Sequence, residues 1–304
     1  MILENTALDR AEVERAVRSA LEEDLRYGAD LTSLATVPDG AVGVADVVVR
    51  AAGVLAGIDV ARAVVEIAGA GSLSAPLPDG SCVSPGDVVA TIKGPLRELF
   101  GAERTLLNFL THLSGIATAT RAWVDAVAGT GAVIRDTRKT LPGLRVLEKY
   151  AVRCGGGMNH RMGLGDAALI KDNHVAVAGS VTAAYRAVRS AAPTAVIEVE
   201  CDTLGQVGEA LAAGAALILL DNMSVPDMRC AVDMARAFPD ARLEASGGLE
   251  LSSAREVALT GVQYLAVGAL THSSAALDLS LDLSPDLEPL TPRHPGRRGV
   301  SRAC

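Results

Sequence analysis

At 304 residues the chain has room for two domains, or for one large α/β domain with an attachment, and its 49% apolar but only 3% aromatic composition calls for a core of Val, Leu, Ile and Ala. A formal charge of -8 argues against a nucleic-acid or anionic-membrane partner, charges spread over residues 1–25 exclude a signal peptide, and no apolar run reaches the ~20 residues of a membrane span. The five scattered cysteines (Cys82, Cys154, Cys201, Cys230, Cys304) form neither a CxxC pair nor a zinc spacing, and read as reduced thiols of a cytosolic protein.

Residues 9–21 read as an amphipathic helix with Asp9 as its cap. Glu12 closes a capping box, Leu8 and Val13 form a staple, and Val13, Ala16, Val17, Ala20 and Leu21 make one apolar face. A polar loop follows over 21–33, with the acids Glu22, Glu23 and Asp24 solvated. Residues 42–50 and 53–57 read as strands, and 59–70 as a helix capped by Asp59. Asp79-Gly80 and Pro85-Gly86 mark turns around further strands, and Pro95 opens a helical stretch over 95–129. That stretch reads as two helices broken near His112–Gly115, with Glu103–Arg104 as a surface ion pair. From 133 the rhythm becomes short, almost continuously apolar strands at 133–136, 167–171, 195–200, 217–221, 242–246 and 264–268. Between them lie helices at 144–153, 180–192, 203–213, 225–237 and 252–259. This is the pattern of parallel βα units covered on both faces. After Ser284 the chain turns Pro- and Arg-rich.

Residues 135–174 gather eight Lys/Arg against four acids. Arg145, Lys149 and Arg153, four apart, read as a solvated helix face. Arg138, Lys139, His160, Arg161 and Lys171 instead flank strand ends and glycine loops. Almost every strand of the second half ends in chemistry: Asp136 with Arg138 and Lys139, then Lys171, Glu200, Asp221, Ser246-Gly247-Gly248 and Gly268. In a closed or nearly closed barrel these ends meet on one rim, whereas no glycine fingerprint follows the first strand as an open dinucleotide fold requires. Glu200 and Asp221 suit Mg²⁺, or are structural acids bonded to Lys171 or to loop amides. His160, beside Arg161, reads as a protonated or donor imidazole facing an anion. Gly155-Gly156-Gly157 is a substrate-covering loop or a flexible connection. Three readings stay open on the residues alone. One is a Mg²⁺-assisted transferase acting on a phosphorylated sugar and an acidic acceptor. Another is an aldolase or lyase forming a Schiff base on Lys139 or Lys171. The third is a barrel that only binds an anion.

The segments EDLRYGADLTS (23–33), DTRKTLPGLRVLEKYAVRCGGGMNHRMGLGDAALIKDNH (136–174), EVE (198–200), LLDN (219–222), EASGG (244–248) and VGALTHS (267–273) resemble the quinolinate phosphoribosyltransferase family, over residues 1 to about 283. The resemblance implies an N-terminal α/β sandwich (1–115) and a C-terminal incomplete parallel α/β barrel of six or seven strands (116–283). The tail (284–304) lies outside the matched region; its composition predicts that it packs on the N-terminal domain at its start and is disordered after. It implies transfer of phosphoribosyl from phosphoribosyl pyrophosphate to quinolinate with Mg²⁺, giving nicotinate mononucleotide, CO₂ and pyrophosphate in the cytoplasm, with a nicotinate-type acceptor as the near alternative. It implies a homo-oligomer, a dimer or a hexamer of dimers, in which Arg104 reaches the partner's site. Thr137, Arg138, Lys139, His160, Arg161 and Lys171 would surround the anionic ligands. Glu200 and Asp221 would face ribose and metal, directly or through water, forming the catalytic set with Lys139. Ser246, Gly247, Gly248, Val267, Gly268 and Ala269 would hold the phosphate end.

Overall fold

The computed structural model describes residues 8–284, so the expectations for the tail after Ser284 lie outside the described residues. The first helix, Arg10–Leu25, starts where the sequence places it, with the Asp9 carboxylate accepting the Ala11 N–H at 2.9 Å. Its box does not close, because Glu12 pairs with Arg15 instead. The polar loop that follows ends early. Asp30 accepts the N–H groups of Thr32 and Ser33 and starts an unforeseen short helix, Leu31–Thr36.

Five strands come next: β1 (Val42–Val49), β2 (Gly53–Val54), β3 (Ser72–Ser74), β4 (Cys82–Val83) and β5 (Val88–Pro95). β1 alternates covered and open positions, as a strand buried on one face must. Ala45, Val47 and Val49 join Val60 and Val64 of the helix Ile58–Ile67 in a common core.

The stretch expected to be two helices is one, Leu96–Ala126, of 31 residues. The residues resembling breakers are packing contacts. Ser114 Oγ accepts the Ala56 N–H at 3.0 Å, and Thr118 Oγ1 accepts the Val54 N–H at 2.8 Å. A Cβ on Gly115 would stand 2.2 Å from the Ala275 carbonyl oxygen, so glycine there admits a backbone crossing.

The second half builds β6 (Val133–Arg135), β7 (Ala168–Ile170), β8 (Ile197–Cys201), β9 (Leu217–Asp221), β10 (Arg242–Ser246) and β11 (Tyr264–Ala266). They form a six-stranded parallel sheet in the order β6-β11-β10-β9-β8-β7. Met158 lies along the free side of β6 as an isolated parallel bridge to Arg135, donating its N–H to Ile134 O at 2.8 Å. The triple glycine before it is neither lid nor flexible link. A Cβ on Gly155 would meet Ala117 O at 2.4 Å, and one on Gly157 would meet Val152 Cγ1 at 2.8 Å. The loop is pressed against the long helix.

The chain then returns to the first domain. Residues 279–283, read from sequence as the end of the barrel domain, form β12 (Leu279–Leu283) and pair antiparallel with β1. This completes an antiparallel sheet in the order β12-β1-β5-β3. The architecture is an α/β protein with an N-terminal antiparallel-sheet domain and a C-terminal parallel barrel. Among the described residues no helix is long and apolar enough to cross a membrane.

Candidate functional site

The carboxyl ends of the parallel strands open on one cavity of about 490 Å³. The loop after β6 brings Thr137, Arg138 and Lys139 to it, and the segment bridged to β6 brings His160 and Arg161. Lys171 follows β7, Glu200 is on β8, Asp221 ends β9, and Ser246, Gly247 and Gly248 follow β10. Two further polar lining residues, Asn222 and Glu244, escaped the sequence reading. Larger hollows exist, an apolar one of about 630 Å³ beside Leu164 and Val177 and one of about 590 Å³ that holds charges of both signs, but neither lies where the parallel strands end. Val267, Gly268 and Ala269 do not line the cavity. A Cβ on Gly268 would come within 2.8 Å of Lys139 Cδ, so that glycine makes room for the lysine stem. Arg104 is exposed on the long helix and not among the lining residues.

At the mouth, Lys171 Nζ meets Glu200 Oε2 at 2.7 Å. This pair ties the Lys171 head to a carboxylate, which weighs against a Schiff base at that lysine. Asn222 adopts a left-handed φ of 52° and donates through Nδ2 to Asp221 Oδ2 at 2.9 Å. Its Oδ1 would lie 2.3 Å from a Cβ on Gly247, whose own φ is +87°, so the Gly247 position excludes any side chain.

Beneath the mouth the floor is charged and buried. His160 Nδ1 accepts the Arg161 N–H at 2.7 Å, so the ring proton sits on Nε2, which faces Glu198 Oε2 at 2.7 Å and Glu244 Oε1 at 3.5 Å. His160 is thus a donor imidazole, and the anion it faces is the protein's own. These three residues place ligand-type atoms within 4.8 Å of one another. With its proton on Nε2, however, the imidazole has no lone pair free for a metal. Arg135 pairs with Glu244 in the same floor. Two carboxylates against one guanidinium leave a surplus negative charge, and Glu198 Oε1 and Glu244 Oε1 have no hydrogen-bond partner. Burial first, and Glu198 second, push the Glu244 carboxyl from 4.5 up to about 7, against the pull of Arg135 and His160. Glu198, Glu244 and Arg135 had a signal in sequence, as charged residues inside otherwise apolar strands, but nothing local said they would meet.

A consequence follows for stability. Folded protein holds the Glu244 proton more tightly than unfolded chain, so stability falls as pH rises from 4.5 to about 7. Glu244→Gln, neutral throughout, is expected to flatten that decline. Melting temperatures of both proteins from pH 5 to 8 test it, and parallel profiles would place the proton elsewhere.

The face read as solvated proves otherwise. Lys149 is fully buried and paired with Asp136. Burial raises the Asp136 carboxyl and lowers the Lys149 ammonium, and their mutual attraction opposes both shifts. Asp136 also accepts the His160 N–H at 2.8 Å and the Asn159 Nδ2 donor at 2.5 Å. Arg153 reaches Asn159 Oδ1. Charges at four-residue spacing share a helix side, and here that side of the helix Arg145–Cys154 meets the strand end, the apolar lysine stem packing inward.

Residues 116–282 match the pattern of the quinolinate phosphoribosyl transferase C-terminal domain, and residues 30–114 that of its N-terminal domain. A nicotinate-nucleotide pyrophosphorylase [carboxylating] of Mycobacterium leprae is 56% identical over 272 residues, covering 88% of this chain and 95% of its own. The chain belongs to the quinolinate phosphoribosyltransferase family. The human nicotinate-nucleotide pyrophosphorylase [carboxylating] is 42% identical over 211 residues, covering 68% of this chain and 71% of its own. The solved structure of the nicotinate-nucleotide pyrophosphorylase from Francisella tularensis superposes with a TM-score of 0.87 at 37% identity, covering 92% of this chain and 98% of that one. Human nicotinic acid phosphoribosyltransferase, at 15% identity and a TM-score of 0.60, shares the fold alone. As a family member, the chain has its cations and acids where the parallel strands end, in the position that barrel enzymes use for chemistry.

Proposed function

We propose that this barrel mouth binds quinolinate beside phosphoribosyl pyrophosphate. The activity is that of a quinolinate phosphoribosyltransferase, a carboxylating nicotinate-nucleotide diphosphorylase of NAD biosynthesis. The observation that carries the site reading is the meeting of Arg138, Lys139, Arg161 and Lys171 with Glu200 and Asp221 around one cavity. Guanidinium forks of Arg138 and Arg161 suit the planar carboxylates of a pyridine dianion, and Lys139 and Lys171 suit phosphate or carboxylate as point charges. Ser246, Gly247 and Gly248 fit the phosphate end, while Gly268 serves it indirectly by making room for the Lys139 stem. Thr137 Oγ1 accepts the Lys139 N–H at 3.0 Å and shapes that turn.

The pyridine nitrogen attacks the anomeric carbon with its own lone pair as pyrophosphate leaves, so no general base is required. Positive charge on the ribose ring is stabilised by the carboxylates of Glu200 and Asp221. The quaternary ring nitrogen then accepts the electron pair released when the adjacent carboxylate departs as CO₂, and the ring carbon takes a proton. Glu200 and Asp221 also fit Mg²⁺, directly or through water. They are only partly covered and stand on adjacent strands, and Asp221 gives one oxygen to Asn222 at 2.9 Å. One or two carboxylates completed by water and phosphate oxygens are what this ion takes. When bound, it supplies neutralisation of the pyrophosphate leaving group.

The test uses quinolinate labelled in its 2-carboxylate, phosphoribosyl pyrophosphate and Mg²⁺. Labelled CO₂ is expected; its absence while nicotinate reacts would hand the site to a nicotinate-type acceptor. Arg104 is exposed and outside its own chain's cavity, which supports the reading that it serves the partner's site in a homo-oligomer, a dimer or a hexamer of dimers. Mixing Arg104→Ala with Lys139→Ala chains is expected to restore activity through hybrid dimers. No recovery after verified subunit exchange would refute the shared site. The thiols of Cys82, Cys154, Cys201 and Cys230 are all unpaired, which suits a cytoplasmic enzyme.

A further inference from the structure

Arg145 opens the helix behind the cation loops and does not line the cavity. Its guanidinium nevertheless reaches both loops that supply the cavity's arginines. Nε donates to Thr140 Oγ1 at 3.1 Å and Nη2 to the Arg138 carbonyl at 3.5 Å, both on the loop after β6. Nη1 donates to the carbonyl of Met162, the residue after Arg161, at 3.0 Å. None of these acceptors is a carboxylate, and among the described residues Arg145 forms no salt bridge with an acid. An arginine serving only solubility or a surface pair has no need of two backbone carbonyls from different loops.

The two loops are already joined at their base, where Asp136 accepts the His160 N–H. Arg145 joins them again farther out, at the peptide of Arg138 and just past Arg161. A planar fork with donors in fixed directions sets a distance between its acceptors, which a lysine ammonium does not.

We propose that Arg145 is a positioning residue for the acceptor: it fixes the spacing between Arg138 and Arg161 so that both meet the two carboxylates of one pyridine dianion. The inference rests on the quinolinate reading of the site. Misplacing a binding group by about 1 Å is worth up to ~10²-fold. A spacing error should therefore weaken a dicarboxylate far more than a monocarboxylate, which needs only one arginine.

The experiment compares equilibrium binding of quinolinate and of nicotinate to the wild-type protein, Arg145→Lys and Arg145→Ala, with melting temperatures alongside. Quinolinate affinity is expected to fall at least tenfold in both variants while nicotinate affinity changes less than about twofold, each factor of ten being ~1.4 kcal/mol. Free guanidinium ion is expected to restore part of the quinolinate affinity of Arg145→Ala and to leave the wild type unchanged. Equal losses for both ligands would reduce Arg145 to a general structural role, and undiminished quinolinate binding by a variant would overturn the proposal outright. Should the wild type itself fail to bind quinolinate, the functional reading falls first, which separates the two failures.

Discussion

Replacing Asp136 with alanine is expected to cost ~3–5 kcal/mol of stability, the penalty for leaving a buried charge without its partner. Lys149 is fully buried, and its remaining acceptor would be the Thr137 carbonyl at 3.4 Å, which carries no charge to replace the carboxylate's. The same change strips an acceptor from the His160 N–H and from Asn159 Nδ2. The segment bridged to β6 would therefore loosen together with the floor. Asp136→Ala combined with Lys149→Met removes both charges and keeps an apolar stem of similar length. That double variant is expected to regain most of the loss, because buried ion pairs contribute little net stability against apolar replacements. Urea unfolding of the two single variants and the double variant forms the cycle. If the double variant is as unstable as Asp136→Ala, the uncompensated lysine is not the cause.

The second large effect concerns activity. Arg161 is buried, its Nη1 donates to the Ala167 carbonyl at 3.0 Å, and among the described residues it forms no salt bridge. Burial, and then the neighbouring Arg138, lower its affinity for its proton, opposed by Asp166, Glu198 and Glu200 at longer range. A cation held this way is poorly compensated until an anion enters. Arg161→Met is therefore expected to lose no more than about 1 kcal/mol of stability, yet to lose ~10²–10³-fold in kcat/KM for quinolinate. That loss is about 2.8–4.2 kcal/mol, within the ~2–5 kcal/mol that truncating one partner of a buried charged pair costs. Calorimetric titration and melting curves with and without quinolinate separate the two effects. The thermal shift given by quinolinate should vanish in the variant while the apo melting temperature holds. A variant that unfolds early, or that keeps wild-type affinity, contradicts this account of Arg161.

Much of the site was legible beforehand because of a single regularity. A parallel strand buried on both faces is an apolar run, and the residue that ends it must leave the core. Lys171, Glu200, Asp221 and Ser246 stand out on that ground, and all of them line the cavity. The failures share a different cause. Lys149 and Arg145 were read from helical spacing, which says which residues share a side but not what that side faces. Gly115 and the Gly155–Gly157 run were read as breaks or a lid, because glycine signals either freedom or close approach, and only the neighbouring backbone tells which. Return of the chain to the first sheet as β12 had no local mark either: its partner β1 lies more than 200 residues earlier.

Taken alone, the amino-acid sequence determined the alternation of strand and helix in the second half and the order in which chemistry-bearing residues reach the strand ends. These are local properties, written in periodicity, caps and turn residues. Tertiary structure alone decided which charges neutralise one another. Arg135 meets Glu244 across 109 positions, His160 finds Glu198 on another strand, and Asn222 occupies the space that Gly247 leaves. Such contacts exist only once the parallel strands stand side by side, because Coulomb attraction and desolvation depend on distance and burial in space, not on separation along the chain.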